Sequence, residues 1–487
     1  MAGLIIVSNR LPVSIKKVDG ELEYSPSIGG LSTALASYTE NGNNKWIGWP
    51  GIPTDELTDE DIQRITKKLR KQNCYPVFLT QKQLEGFYNG YSNSVLWPMF
   101  HHLPIETGDT PANWKAYKEV NRLYADITLE LSKASDDIWV HDYQLLLLPE
   151  MLRVKRPKQQ IGFFLHIPFP VPKDLFQTPH AADLLRGVLG SDLIGTHTTA
   201  YANNFLDCVQ QAALGVVGPR KVALPTRIVR VKDFPIGINY DKFAAATKAV
   251  EVKKEYTKLL WKYRGRKVIL TIDRLDPTKG LVERLKAYRT LLKENPTLHG
   301  KVVMVMQAMP SRTEIDVYKK LRHDVDALIE DINKTYGKRG WEPVEPIFSA
   351  LPFATYAAMY QRADVAFIAP IRDGMNLVAK EYLASRPRGD GVLVLSETAG
   401  AAEELKDAVL VNPAKPRTMV QGLQDALTMK PEVLRRRTKK MQRYLKSHTV
   451  DKWANNFITS LAAPVVQPVK HFTRSLIGTP EKALVAD

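Results

Sequence analysis

Short apolar runs that show no in/out alternation punctuate the whole chain, and each ends abruptly in polar residues. They are Leu4–Ser8, Ile138–His141, Ile161–His166, Lys267–Asp273, Val302–Gln307, Asp364–Ala369, Val392–Ser396 and Val409–Asn412. A strand with one wet face alternates apolar and polar residues, whereas a strand covered on both faces does not. These runs are therefore the expected strands of buried parallel sheets. The stretches between them have helical spacing. In Gly280–Pro296, for example, Leu281, Leu285, Tyr288, Leu291 and Leu292 share one face and charges fill the other. This βαβα rhythm predicts an α/β architecture with ligands at the carboxyl ends of strands.

Length sets how many such units to expect, since 487 residues exceed what one hydrophobic core usually serves. The pattern breaks at Phe234–Ile238 and restarts with the run at Lys267. Before the break, a stretch holding Gly215, Gly218, Pro219 and Pro225 reads as a loop. The expectation is two Rossmann-like domains, residues 1–238 and 239–447, facing each other across a deep cleft. A helical or irregular tail, residues 448–487, is expected to pack back on the first domain. Interdomain clefts are where small-molecule sites usually lie.

Several function classes drop out on composition. Cys74 and Cys208 are the only cysteines and have no CxxC spacing, which gives neither a disulfide framework nor a zinc site. The start, MAGLIIVSNR, lacks the form of a signal peptide, and no run nears the ~20 apolar residues that span a bilayer. A cytoplasmic protein with no membrane partner is expected. A formal charge of +16 raises the question of nucleic acid. However, the densest basic segment, Arg435–Lys440 with Arg443 and Lys446, has no interleaved aromatics to stack bases. It reads as a solvated helix face, and the surplus charge can equally draw in anionic substrates.

The polar residues at the strand ends carry the chemistry. Arg10 closes the first strand and can grip a phosphate with two hydrogen bonds, and Gly29-Gly30-Leu31 offers backbone N–H groups to an anion. Tyr88–Pro98 is rich in aromatics and amides, as are Trp46 and Trp49, a composition that suits sugars but also core packing. Asp142 and His166 follow two strands of one domain, which favours a shared site over two isolated structural residues. In the second half, Arg274 and Lys279 flank the turn after Lys267–Asp273, where two cations can embrace a diphosphate. The Gly-x₄-Gly-Lys-Ser/Thr order of a Walker loop is absent, which removes kinase and ATPase readings. Asp373 lies in the turn after the Asp364–Ala369 run, and Glu381, eight residues on, is expected about two turns into a helix. A glycosidase-like carboxylate pair is the rival reading of those two, but the neighbouring cations favour a phosphate-bearing donor.

In chain order, SNRLPV, GGL, WIGWPG, FYNGYSNSVLWP, HDYQLLLLP, IGFFLHIPFP, DRLDPTKGL, PSR at Pro310–Arg312, RDGMNLVAKEY and LSETAGAAEEL resemble the trehalose-6-phosphate synthase family of retaining GT-B glycosyltransferases, over Leu4 to about Leu461. The resemblance implies glucosyl transfer from UDP-glucose to glucose 6-phosphate, with no cofactor and no metal. It implies that Arg10, Trp49, Tyr88, Trp97, Asp142 and Arg312 hold the acceptor. Gly30, Arg274, Lys279, Asp373, Gly374, Met375, Asn376, Leu377, Val378 and Glu381 would hold the donor. The catalytic group would be His166, Asp142, Arg274, Lys279 and Asp373. Departures from the family pattern are Asp276-Pro277-Thr278-Lys279, Gln144, and Thr196-His197, none of which removes an expected charge. No phosphatase motif follows, so the expected product keeps its phosphate. Alternatives are the same chemistry on another acceptor (glycerol 3-phosphate or a cyclitol phosphate) and a catalytically silent sugar-phosphate-binding regulatory subunit. A homo-oligomer stays open.

Overall fold

The computed structural model describes residues 3–27, 35, 44–105, 107–312 and 315–464. All eight apolar runs form strands, and these sort into two sheets. In the first, Cys74–Pro76, Lys45–Trp49, Leu4–Arg10, Asp137–His141, Gln160–Phe164, Leu193–Thr196 and Ile228–Asp233 lie side by side in that order, all parallel. The second is parallel throughout: Val344–Ile347, Val302–Met309, Lys267–Arg274, Val365–Ile368, Val392–Ser396 and Val409–Val411.

Both sheets wind the same way. The earliest strand lies inside each sheet, and the chain first builds outward on one side of it and then on the other. Such a reversal opens a crevice at the carboxyl ends of the two central strands. In the first sheet these are Leu4–Arg10 and Asp137–His141; in the second they are Lys267–Arg274 and Val365–Ile368. Arg10, Asp142, Arg274 and Asp373 are thus carried to the crevices by topology.

Some elements differ from expectation. The Gly215–Pro225 stretch is not a loop: Val216–Gly218 and Lys221–Ala223 pair antiparallel and extend the first sheet's edge. Of the unforeseen strands, Lys45–Trp49, Cys74–Pro76, Leu193–Thr196 and Val344–Ile347 span only three to five residues, too few for a periodicity to register; Ile228–Asp233, with six, was also not among the expected runs. Val13–Val18 and Glu21–Pro26 form a separate hairpin. Its turn, Asp19-Gly20, has positive φ at both residues (49° and 85°), the conformation that Asp-Gly hairpin turns favour.

The last described helix, Val450–Ala462, belongs structurally to the first sheet although it follows the second in sequence. Phe457 stacks on Trp139 with centroids 4.6 Å apart, and Trp453 meets the edge of Phe164 at 5.0 Å. Gly162 and Gly195 make room for it, since a Cβ on either would come within 2.7 Å of Phe457. The two connections between the halves run together, for Val450 N–H donates to the Ile238 carbonyl at 3.2 Å. The basic helix Pro431–Ser447 turns Thr438, Met441 and Leu445 inward, and Arg437 donates to the carbonyls of Asp407 and Ala408. Among the described residues no helix is long and apolar enough to cross a membrane.

Candidate active site

The site is assembled where the two crevices face each other, and the first half supplies its floor. Leu84–Leu96 coils as a wide π-helical run and continues into Trp97–Phe100, which places Trp97 inside the cleft. Stretches of i→i+5 helix are rare and tend to mark functional sites. Trp97 is nearly buried against His101 and Tyr143, with ring centroids 4.2 and 5.7 Å away. Two cations from the second half lie against its ring: Arg312 Cζ at 4.1 Å and Arg274 Cζ at 5.5 Å. For the nearly buried Arg312, such a contact in a desolvated setting is worth ~2 kcal/mol. Tyr88 is close enough to bear on the charge of Arg312.

Asp142 occupies strained backbone, with φ 74° and ψ 171°. A non-glycine residue holds that conformation only where its surroundings enforce it, which happens mostly at functional sites. Here its N–H donates to the Phe164 carbonyl at 2.8 Å, and its Oδ1 accepts from the His166 N–H at 3.2 Å. Burial pushes the carboxyl up to about 6, against the opposing pull of the His166 and Tyr143 N–H groups, Arg274 and Arg312. His166 stacks on His141, its Nε2 lying 3.1 Å from His141 Nδ1, and meets His197 edge-on to make a row of three. Burial holds all three histidines well below their usual range, so at neutral pH the row is uncharged. A neutral His166 can still hold or pass a proton without adding charge to the site.

The second half contributes charge in layers. Lys279 and Asp373, both nearly buried, pair with Nζ 2.5 Å from Oδ2. Burial raises the Asp373 carboxyl, but Lys279 more than offsets this and holds it below the ordinary range. Asn376 caps the helix Leu377–Ala384 from a positive-φ position (77°), with Nδ2 3.1 Å from Asp373 Oδ2. Helix geometry leaves the N–H groups of Leu377 and Val378 without intrahelical partners, a natural anion cradle. Met375 is buried in the core. Gly374 lies against the first half, where a Cβ would stand 2.2 Å from the His166 carbonyl oxygen. The Tyr201 hydroxyl also crosses the cleft, to the Asp373 carbonyl at 3.1 Å.

Many of the expected residues therefore meet in one place. Asp142, Trp97, Arg274, Arg312, Tyr88, Lys279, Asp373 and His166 are linked by contact or by charge, directly or through His101 and Asp276. Arg10 makes its contacts within its own half: its guanidinium lies 4.8 Å over Trp49 and donates to Ser14 Oγ at 2.9 Å. Trp46, three residues before Trp49 on the same strand, points the opposite way into the core and donates to Ser8 Oγ at 2.7 Å. Glu381 sits one turn into its helix rather than two, because the helix starts only at Leu377; its Oε2 accepts from the Tyr360 hydroxyl at 2.8 Å. Gly30 lies outside the described residues. Tyr143, Tyr318, His101 and Asp276 belong to the cluster but were not expected there. The first and last stand inside the quoted HDY and DRLDPTKG segments. Among the described residues no three His, Cys, Asp or Glu side chains group so as to hold a metal.

Two α/β halves with facing crevices, cations on an aromatic floor and a carboxylate on each side define a GT-B glycosyltransferase. A family model fits residues 2–463, and the chain belongs to glycosyltransferase family 20. It is 39% identical over 460 residues to an alpha,alpha-trehalose-phosphate synthase [UDP-forming] A of Dictyostelium discoideum, matching 94% of this chain and 62% of that relative's length. Two solved structures match nearly end to end, each with 31% identity and a TM-score of 0.84. One is the UDP-forming alpha,alpha-trehalose-phosphate synthase of Burkholderia xenovorans in complex with glucose-6-phosphate, covering 94% of this chain and 100% of that one. The other is the trehalose-6-phosphate enzyme of E. coli bound with UDP-2-fluoro glucose, covering 95% and 100%.

Proposed function

We propose that the chain transfers glucose from UDP-glucose to glucose 6-phosphate with retention, releasing α,α-trehalose 6-phosphate and UDP. The observation that carries this reading is the pair Arg274 and Arg312 set side by side on Trp97, with Asp142 within their field. Two anions brought to neighbouring cations place their sugars over one aromatic floor, and the complexes of the similar enzymes supply the chemistry of both ligands. Arg312, Trp97, Tyr88, Asp142, Arg10 and Trp49 would hold the acceptor. Arg274, Lys279, Asp373, the 374–378 backbone and Glu381 would hold the donor, together with Gly30. The sheet membership of the strands supports domain limits near 238 and 447.

In this reading the donor C1–O bond to the diphosphate breaks as the acceptor hydroxyl forms its bond to C1 on the same face. The hydroxyl proton passes to the departing phosphate oxygen. Lys279 and Arg274 meet the charge growing on the diphosphate, while Asp142 and His166 orient the reacting sugars. Arg and Lys supply the neutralisation, so the proposal requires no metal. The test is UDP release from UDP-glucose with glucose 6-phosphate, glycerol 3-phosphate or no acceptor, with the product identified. Release only with glucose 6-phosphate, giving an α,α-linked disaccharide phosphate, supports the reading. Release only with another acceptor overturns the acceptor assignment.

Two further outcomes follow. Arg312→Ala is expected to raise the KM for glucose 6-phosphate by about tenfold to a hundredfold, the worth of a lost charge-assisted hydrogen bond. The KM for UDP-glucose should change far less, and an unchanged glucose 6-phosphate KM removes Arg312 from that subsite. The second outcome concerns pH. Asp142 accepts most strongly from sugar hydroxyls when ionised, and it loses that charge as pH falls through about 6, so kcat/KM should fall with it. The sugar phosphate's own second ionisation also lies near ~6. The wild-type acid limb should therefore be steeper than that of Asp142→Asn, in which only the substrate titrates. Identical slopes would show that Asp142 is not required as the anion.

A further inference from the structure

Two guanidinium groups that face the cleft hang on a single buried carboxylate. Asp276 is fully buried in the turn after Lys267–Arg274. Its Oδ1 accepts from the Thr278 N–H at 3.0 Å and from the Thr278 hydroxyl at 2.9 Å. Its Oδ2 lies 3.2 Å from Arg312, 3.3 Å from the Tyr318 hydroxyl and 3.8 Å from Arg274. Tyr318 in turn accepts from Arg312, so the two hold each other against the carboxylate. Capping the short turn uses one oxygen, a task that Ser, Thr or Asn performs without burying a charge. The second oxygen faces Arg274, two residues back, and two partners 36 and 42 residues away in the sequence, Arg312 and the Tyr318 hydroxyl that Arg312 also reaches.

We infer that Asp276 is a positioning residue for both anion subsites at once, fixing Arg274 for the donor diphosphate and Arg312 for the acceptor phosphate. The inference rests on the function proposed above. Three cations, Arg274, Lys279 and Arg312, bear on this carboxylate and hold it below the ordinary range despite its burial. Without it, two guanidinium groups against one indole ring would repel each other and lose their common anchor. Arg274 would lose its ion-pair partner, Oδ2 of Asp276 at 3.8 Å, and Arg312 the same oxygen at 3.2 Å.

The experiment is Asp276→Asn, which keeps an oxygen for the Thr278 cap and removes the charge. Both KM values, for UDP-glucose and for glucose 6-phosphate, should rise about tenfold together. Arg274→Lys should move the donor KM alone, and Arg312→Lys the acceptor KM alone. A purely structural role would lower the melting temperature and leave both KM values in place, which would overturn the inference. So would tighter binding of both substrates, the sign of a carboxylate that merely competes with them. Tyr318→Phe removes only the hydroxyl shared by Asp276 and Arg312 and should raise the acceptor KM alone. If Asp276→Asn does not fold, an unchanged acceptor KM in Tyr318→Phe overturns the inference. Should the wild type release no UDP, the proposed function fails. Titration of the same variants with UDP and with inorganic phosphate then still decides the role of Asp276.

Discussion

Lys279→Ala is expected to lower kcat by about 10²–10³-fold while the KM for glucose 6-phosphate stays within about twofold, as measured by UDP release at saturating UDP-glucose over a range of glucose 6-phosphate. The size follows from where Lys279 stands. Its Nζ is 2.5 Å from Asp373, and the two side chains are only 10% and 15% exposed. A charge held there meets little water, so it acts on the leaving diphosphate with little screening. Arg274 cannot replace it, because its 42% exposure dilutes the same interaction. The substitution also leaves the Asp373 carboxylate buried without its cation, an arrangement that costs about 3–5 kcal/mol. A lowered melting temperature should accompany the lost turnover. A change confined to the acceptor KM would contradict the leaving-group role.

Gly374→Ala should lower kcat/KM for UDP-glucose by a factor on the order of 100, the usual result of a displacement of about 1 Å at a reacting centre. The added Cβ would stand 2.2 Å from the His166 carbonyl oxygen and 3.0 Å from the Ile167 Cα. Both are backbone atoms anchored to a strand end, so the Asp373–Asn376 turn must withdraw. That movement carries Asp373 away from Lys279 and tilts the cradle of Leu377 and Val378. Because the collision is between halves and not inside either core, circular dichroism should show an unchanged fold. Near-native kcat/KM would mean that the halves approach less closely during turnover.

The parts of this site that sequence made legible are those with local causes. An apolar run that stops at Arg10, at His141 or at Arg274 announces a strand end, and topology then supplies the crevice. Even the choice between Trp46 and Trp49 follows from the period of two, because residues three apart on a strand face opposite ways. What stayed illegible depends on distant partners. Nothing in the sequence around Asp276 singles it out, and only its contacts with Arg312 and Tyr318 reveal the use of its second oxygen. The strained φ of Asp142 had no signal either, since strain is imposed by surroundings and not by residue type. Glu381 was placed a turn too deep because Gly374, Met375 and Asn376 look compatible with helix yet are spent reaching its cap.

The helix Val450–Ala462 has a consequence for how the chain comes into being. Phe457 and Trp453 complete a core whose other members, Trp139 and Phe164, were synthesised some three hundred residues earlier. Gln160 Nε2 meets the Leu461 carbonyl at 2.5 Å across a separation of 301 residues. On a ribosome adding about 5–20 residues per second, the first sheet would stand exposed along that face for roughly 15–60 s. The second half, by contrast, draws its sheet from one continuous stretch and can close before the first. The half that begins first therefore finishes last. Truncation before Trp453 should accordingly harm the half farthest from the cut in sequence.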